Sequence, residues 1–259
     1  MSAILTERRD AVALLTINRS STLNALDVPA LLELEAAFET LEKDAAVRAI
    51  VVTGAGERAF VAGGDIADLD SRQGLAHYLE FAEVIHRVFA TIENSDKPTL
   101  GAINGWALGG GTELVLALDL RVAADSARFG LPEINLGLFP GAGGTQRILR
   151  QLAPCRAKEL MFTGDPISAQ EALSIGLVNR VVPKADVLPA TIELAAKIAG
   201  KSPLVLKLLK RTLREGAEMP LPQALAFEQA MIGLVLDSED AHEGCRAFVE
   251  KRRADFKGL

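Results

Sequence analysis

Two glutamates and three glycine-rich stretches are the residues of this 259-residue chain whose types and spacing could do chemistry. Glu113 lies three residues after Gly110, and Glu133 follows Pro132 in Gly130-Leu131-Pro132-Glu133. Both stand in apolar text, Leu114 to Leu118 after the first and Ile134, Leu136, Leu138 and Phe139 after the second. Apolar groups closing over a carboxyl raise its pKa by desolvation and fit it to exchange protons near neutral pH. Each glutamate can equally be an acid in the first turn of a helix, serving the dipole or a capping box.

The glycine stretches are Ala62-Gly63-Gly64-Asp65-Ile66, Asn104-Gly105-Trp106-Ala107-Leu108-Gly109-Gly110-Gly111-Thr112-Glu113-Leu114, and Phe139-Pro140-Gly141-Ala142-Gly143-Gly144. Three consecutive glycines open an otherwise apolar helix in the second, although each is poorer than alanine by up to about 1 kcal/mol in a helix interior. Tight turns at positive φ, or close packing of backbone on a neighbouring strand, would offset that. So would a ligand oxygen approaching backbone N–H groups at a helix N-terminus, where the dipole favours negative charge. Two such clusters, each after a strand at one end of a parallel sheet, favour paired donors facing one oxyanion.

The elements that must position these residues alternate in the N-terminal half. Ile4 to Thr6 and Val12 to Asn18 read as a hairpin, and Leu31, Leu34, Phe38 and Leu41 recur at helical spacing after an Asp27 N-cap and Pro29. Val47 to Thr53 is a strand, Ala76 to Glu93 a helix, Thr99 to Ile103 a strand, Thr112 to Leu118 a helix, and Leu120 to Ala124 and Ala127 to Gly130 are strands. This order predicts an α/β fold with parallel pairing and right-handed crossovers. After about Pro154 helices dominate: Pro154 to Phe162, Ser168 to Ser174, Val187 to Ala199, Pro203 to Glu215, Leu221 to Asp237 and Ala241 to Phe256, with strand-like text only around Leu177 to Val182. Met231, Ile232, Leu234 and Val235 can bury against the chain's own core or against another subunit.

Lys plus Arg at 28 against Asp plus Glu at 34 gives a net charge of −6, with both signs scattered, and no basic stripe stands ready for nucleic acid. Two cysteines, Cys155 and Cys245, make neither a disulfide framework nor a four-cysteine zinc site. The N-terminus reads directly into a strand without a targeting segment, and apolar runs stop short of the ~18 residues that span a bilayer. A cytoplasmic protein is expected. Gly54-Ala55-Gly56-Glu57-Arg58-Ala59 follows a strand like a dinucleotide fingerprint, but Phe60-Val61-Ala62-Gly63-Gly64 is a poor helix start to receive a pyrophosphate. Gly141 to Thr145 resembles a phosphate loop with Gly144 where its lysine should stand. His77, His86 and His242 sit in no zinc-protease or hydrolase-triad context, and His242-Glu243-Gly244-Cys245 reads as a helix terminus rather than a metal site.

With these motifs in order, the sequence resembles the enoyl-CoA hydratase/isomerase, or crotonase, family over essentially its whole length. The likeness rests on Asn18-Arg19 with Asn24-Ala25-Leu26, on Arg58 through Ile66, on Asn104 through Glu113, on Phe129 through Ile134 and Gly137 through Arg147, and on the tail Phe248 to Lys257. The first motif departs from the family at Ser20, usually proline. The resemblance implies a crotonase-like fold of stacked ββα units, with residues 1–195 forming the core and active site. Residues 196–259 would form a C-terminal helical region that mediates homotrimers, commonly paired as hexamers. It implies an acyl-CoA thioester as ligand, no metal or redox cofactor, and a place in fatty acid metabolism such as β-oxidation.

By position, Gly64 and Gly110 would donate the two N–H groups of an oxyanion hole. Glu113 would activate water, Glu133 would deliver the α-proton, and Gly141 would position the water through its backbone. Ala25, Leu26, Ala62, Asp65, Ile66 and Pro132 correspond to substrate-binding positions, and Arg58 stands where a nucleotide-contacting lysine often occurs. Asp65 reads as a helix N-cap before it reads as a ligand. Ala67 replaces a lysine, a loss that Lys251 and Lys257 of a neighbouring subunit would offset. Trp106, Phe139 and the segment Ala76 to Ile92 would shape the acyl pocket. Both acids of the hydratase pattern are present, so hydration of a trans-2-enoyl-CoA is expected. A Δ3-Δ2 isomerase using Glu133 alone, or a non-catalytic acyl-CoA-binding protein, are the alternatives.

Overall fold

The computed structural model describes residues 2–71, 74, 75 and 78–259; His77, and the first two residues of the expected helix Ala76 to Glu93, lie outside them. Among the described residues, ten strands form two sheets. The larger has the order β1 (Ile4–Arg9), β2 (Val12–Ile17), β3 (Ala49–Gly54), β5 (Thr99–Ile103), β7 (Leu120–Ala124) and β10 (Arg180–Val182). Only the β1–β2 hairpin is antiparallel; the other pairs are parallel. The smaller sheet has the order β4 (Ala59–Val61), β6 (Trp106–Leu108), β8 (Arg128–Gly130) and β9 (Ile167–Ser168).

Three consecutive strand pairs, β3–β4, β5–β6 and β7–β8, thus each give their first member to the large sheet and their second to the small one. The chain turns sharply between the members of each pair, and two asparagine side chains fix the first two corners. Asn104 Nδ2 donates to the carbonyls of Gly54 and Gly56, and Oδ1 accepts from Gly54 N–H. Asn24, fully buried, donates to the carbonyls of Ala55 and Ala59. Each satisfies backbone groups that the sheets leave unpaired at a corner.

Two sheets were not anticipated as separate layers, and the boundaries shift accordingly. The glycine-led helix starts at Gly110 and ends at Ala117, and the C-terminal strand is confined to Arg180–Val182. In place of one helix to Glu93, a π-helical turn Tyr78–Ala82 leads into α3 (Glu83–Glu93). Helix α1 (Val28–Lys43) begins as expected, with Asp27 accepting from Ala30 N–H. Short α2 (Ile66–Asp70) follows β4, α4 (Gly110–Ala117) packs on β4 and β6, and α5 (Gly144–Gln151) packs on α4 and on α6 (Pro154–Thr163). Helix α7 (Ala169–Ser174) carries a Ser168–Glu171 capping box.

The core fills the space between the large sheet and its helices, with Phe38, Phe89, Leu34, Ile50, Ile92 and Leu100 fully enclosed. Helix α8 (Val187–Ala199) packs on β2, β3, β5 and β7. Beyond it, α9 (Pro203–Gly216) pairs with α10 (Leu221–Leu236), neither of which has a buried residue, and α11 (Glu239–Val249) follows. The expected helix Ala241 to Phe256 therefore stops at Val249. Buried Asp240 accepts from the N–H groups of Lys257 and Gly258, and Arg48 donates to the Phe256 carbonyl, so the tail folds back as extended chain. Among the described residues no helix is long and apolar enough to cross a membrane.

Candidate active site

Strands β4, β6 and β8 of the small sheet each lead into one piece of a single cavity. After β4 the chain enters Ala62-Gly63-Gly64, and Leu26 holds that turn from below. Leu26 N–H donates to the Gly63 carbonyl at 2.9 Å and its carbonyl accepts from Asp65 N–H at 2.9 Å. Those two bonds straddle Gly64, leaving its own N–H outside the ladder. After β6 comes Gly109 at φ +52°, then Gly110 at the head of α4. The first N–H groups of a helix have no carbonyl four residues back, so the Gly110 amide is free of its own helix.

The three consecutive glycines answer to three separate demands. A Cβ on Gly111 would stand 1.9 Å from the Val61 carbonyl oxygen, so α4 lies directly on β4. A Cβ on Gly110 would stand 3.4 Å from Gly64 N, which brings the two turns side by side. At Gly109 a Cβ would meet Glu133 Oε1 at 3.0 Å, so this glycine makes room for the second acid. Close backbone packing is therefore present, and it sets the Gly64 and Gly110 turns next to each other.

Glu113, in the first turn of α4, is only 3% exposed. Its Oε1 accepts from Ala142 N–H at 2.7 Å and Gly144 N–H at 2.8 Å. Burial raises its pKa to about 7; the two amides pull downward, and the neighbouring Glu133 charge pushes further up. A Cβ on Gly144 would lie 2.7 Å from Glu113 Oε1. The turn that imitates a phosphate loop in sequence thus cradles a carboxylate of the chain itself.

Glu133 sits in the 3₁₀ turn Pro132–Leu136, half-buried, its pKa raised chiefly by desolvation. Its Oε2 is fully buried and, among the described residues, meets no hydrogen-bond partner. A buried carboxyl oxygen without a partner is costly and marks a place for a ligand or water.

These pieces share one cavity of about 200 Å³, lined by Gly64, Gly110, Glu113, Glu133 and Gly141. Its apolar wall comes from Ile66, Leu69, Phe81, Ile85, Leu138 and Phe139. Two carboxyls of raised pKa thus share a largely apolar chamber with the Gly64 and Gly110 turns.

The family model for enoyl-CoA hydratase/isomerase matches residues 7–259. The chain belongs to the enoyl-CoA hydratase/isomerase family. Among its relatives, the crotonyl-CoA hydratase of Syntrophomonas wolfei is 42% identical over 98% of this chain and 97% of that protein. The short-chain-enoyl-CoA hydratase of Clostridium acetobutylicum is 40% identical over 98% and 97%. A solved enoyl-CoA hydratase from Bacillus anthracis superposes with a TM-score of 0.96 at 39% identity, covering 99% of this chain and all of that one.

Within this member of the family, the sequence-derived positions divide into two groups. Ala62, Ile66 and Pro132 line the cavity together with the glycines and glutamates, as does Phe139. Ala25, Leu26, Arg58, Asp65 and Trp106 stand outside its lining. Ala25 offers its carbonyl to the Arg19 guanidinium, and Leu26 is fully buried below the Gly63-Gly64 turn. Asp65 is the N-cap of α2, accepting from Ala67 and Asp68 N–H, with Arg19 3.6 Å away. Arg58 lies 5.9 Å above the centre of the Trp106 ring on the surface. Trp106 lies outside the cavity's lining, whereas Phe81 and Ile85, inside the segment Ala76 to Ile92, line it. Lys257 pairs with its own Asp255 at 2.6 Å. The sequence also missed the amides of Ala142 and Gly144; the one available signal was a glycine where any side chain would have been equally good for a plain helix start.

Proposed function

We propose that this protein hydrates the double bond of a trans-2-enoyl-CoA to give the 3-hydroxyacyl-CoA, with Glu113 and Glu133 as its acid–base pair. The observation that supports the reading is the single cavity lined by two carboxyls of raised pKa together with Gly64 and Gly110. Ionised Glu113 takes a proton from water as the water oxygen bonds to C3. The π electrons pass to the thioester oxygen, and the Gly64 and Gly110 N–H groups hold the enolate so formed. Protonated Glu133 then delivers its proton to C2. Preorganised amides of this kind are commonly worth about 10²- to 10³-fold in rate per donor. Gly141 would hold the water through its backbone, and no metal or redox group enters a step in which the thioester is the electron sink.

Names of relatives favour a short acyl chain, and a chamber of about 200 Å³ suits one. We infer that the chain assembles as homotrimers, alone or paired as hexamers, through residues 196–259, where apolar helix faces lie open. We also infer a cytoplasmic location, in keeping with two exposed, unpaired thiols at Cys155 and Cys245.

Ultraviolet absorbance of crotonyl-CoA tests the reading. Hydration bleaches the conjugated enoyl thioester, isomerisation of a 3-enoyl-CoA creates that absorbance, and a pure binder does neither. Glu113→Gln and Glu133→Gln are each expected to lower kcat by at least about 10²-fold, with CoA affinity kept. Wild-type turnover in either variant removes that residue from the mechanism.

A further inference from the structure

The loop that holds Glu113 is itself held by an ion pair. Arg147, in the first turn of α5, is 13% exposed and reaches back across the Gly141–Gly144 turn. Its Nη1 donates to the Ala142 carbonyl at 2.9 Å. Its Nε and Nη2 both donate to Glu93 Oε2, at 3.1 and 2.7 Å. Gly143, at φ +93°, leaves the space that the guanidinium fills, since a Cβ there would stand 2.1 Å from Nη1. The peptide of Ala142 is therefore gripped at both ends: its carbonyl by Arg147, its N–H by Glu113.

Glu93 is the last residue of α3, whose opposite end contributes Ile85 to the apolar wall of the cavity. One side of the chamber and the support of its buried carboxylate are thus joined through a single guanidinium. The planar fork of arginine suits this: one edge binds the carboxylate and the remaining donor binds a carbonyl, which a lysine ammonium cannot reproduce with the same geometry.

We propose that Arg147, anchored by Glu93, is a positioning residue for the hydration reaction, fixing the Ala142 and Gly144 amides so that they hold Glu113 Oε1 and leave the other carboxylate oxygen for water. This rests on the reading of Glu113 as the water-activating base. Arg147 touches neither substrate nor the reacting atoms. Its cation also favours the ionised form of Glu113, so it acts on both the geometry and the charge of that group.

The test compares Arg147→Met, Arg147→Lys, Glu93→Gln and Glu113→Gln with the wild type as the intact oligomer, by crotonyl-CoA hydration across pH. Arg147→Met is expected to lower kcat by about 10²-fold, the scale of an ångström-sized misplacement of a catalytic group. KM should stay within about threefold, because substrate contacts are untouched. The acidic limb of its pH profile should move to higher pH, since a cation that favoured ionised Glu113 is gone. Arg147→Lys should return the limb toward wild type while recovering only part of kcat. A merely structural residue would change folded yield and leave the kcat per folded site and the pH limb in place.

Folded Arg147→Met with kcat and pH limb within twofold of wild type overturns the proposal. Should that variant fail to fold, unchanged kcat and limb in both Arg147→Lys and Glu93→Gln overturn it instead. Full turnover in Glu113→Gln would overturn the reading of the base and the proposal with it; loss there with no effect at position 147 overturns the positioning role alone.

Discussion

Glu113 is the residue at which stability and chemistry oppose each other. Its pKa is about 7 in the folded protein against 4.5 for an ordinary glutamate. Between those values the folded state binds more protons than the unfolded chain, so the stability associated with this group is fully present below pH 4.5 and is lost as pH rises through about 7. Glu113→Gln keeps an amide oxygen for the Ala142 and Gly144 N–H groups and never ionises. It is therefore expected to be more stable than wild type at pH 8, by on the order of 3 kcal/mol for a fully buried group, with the gap closing below about pH 4.5. Denaturant midpoints of both proteins at pH 8 and pH 4.5 check this, and equal midpoints at pH 8 would contradict it. The wild type's kcat/KM should rise as pH climbs through about 7, where Glu113 ionises. Gly144→Ala attacks the same group sterically: its Cβ would fall 2.7 Å from Glu113 Oε1. Loss of turnover by about 10²-fold is expected there.

Helix α4 carries both an amide and an acid of the site, and its seat on β4 has almost no tolerance. Gly111→Ala would place a methyl 1.9 Å from the Val61 carbonyl, which must push the helix off the strand. A destabilisation of at least about 1–3 kcal/mol is expected, as for overpacking elsewhere, along with loss of hydration, because Gly110 N and Glu113 move together. A variant with wild-type melting behaviour would show that the helix can shift at no cost. The existence of this helix was legible in the sequence, as were α1 with its apolar period and Asp27 cap, α8, and the long strands of the large sheet, whose apolar residues run together. The small sheet was not legible as a layer: Ala59–Val61, Trp106–Leu108 and Arg128–Gly130 are three residues each, too short to show a period. Glycine clusters and acids in apolar text pointed to the cavity, since those features are local. The grip of Ala142 and Gly144 on Glu113 joins positions about thirty residues apart, and only the folded chain brings them together. The same holds for Arg147 and Glu93, which are 54 residues apart.

At the scale of the whole molecule, the C-terminal helices leave apolar surface that a single chain does not cover. Helix α10 has no buried residue, although Leu221, Leu225, Ile232 and Leu236 fall on one stripe of it, and Leu209 and Leu213 of α9 are exposed beside it. Phe248 and Val249 at the end of α11 add to the open apolar area. Burying a leucine or isoleucine side chain is worth about 1.5–3 kcal/mol, so several such residues offer ample driving force for self-association, and closed cyclic symmetry lets one patch be satisfied on every copy. Sedimentation at micromolar concentration is expected to give a mass three or six times the 27.5 kDa of one chain. Introducing charge into the stripe with Leu225→Asp and Ile232→Asp should shift that mass toward the monomer, because an aspartate buried in an apolar contact is not compensated. The groups that bury Glu113, Ala142 and Gly144 among them, lie in the same chain, so the dissociated variant is expected to keep that environment and hence the acidic limb of the pH profile near 7. A wild-type chain that sediments as a monomer would mean that those helix faces are solvated, and that residues 196–259 serve some end other than assembly.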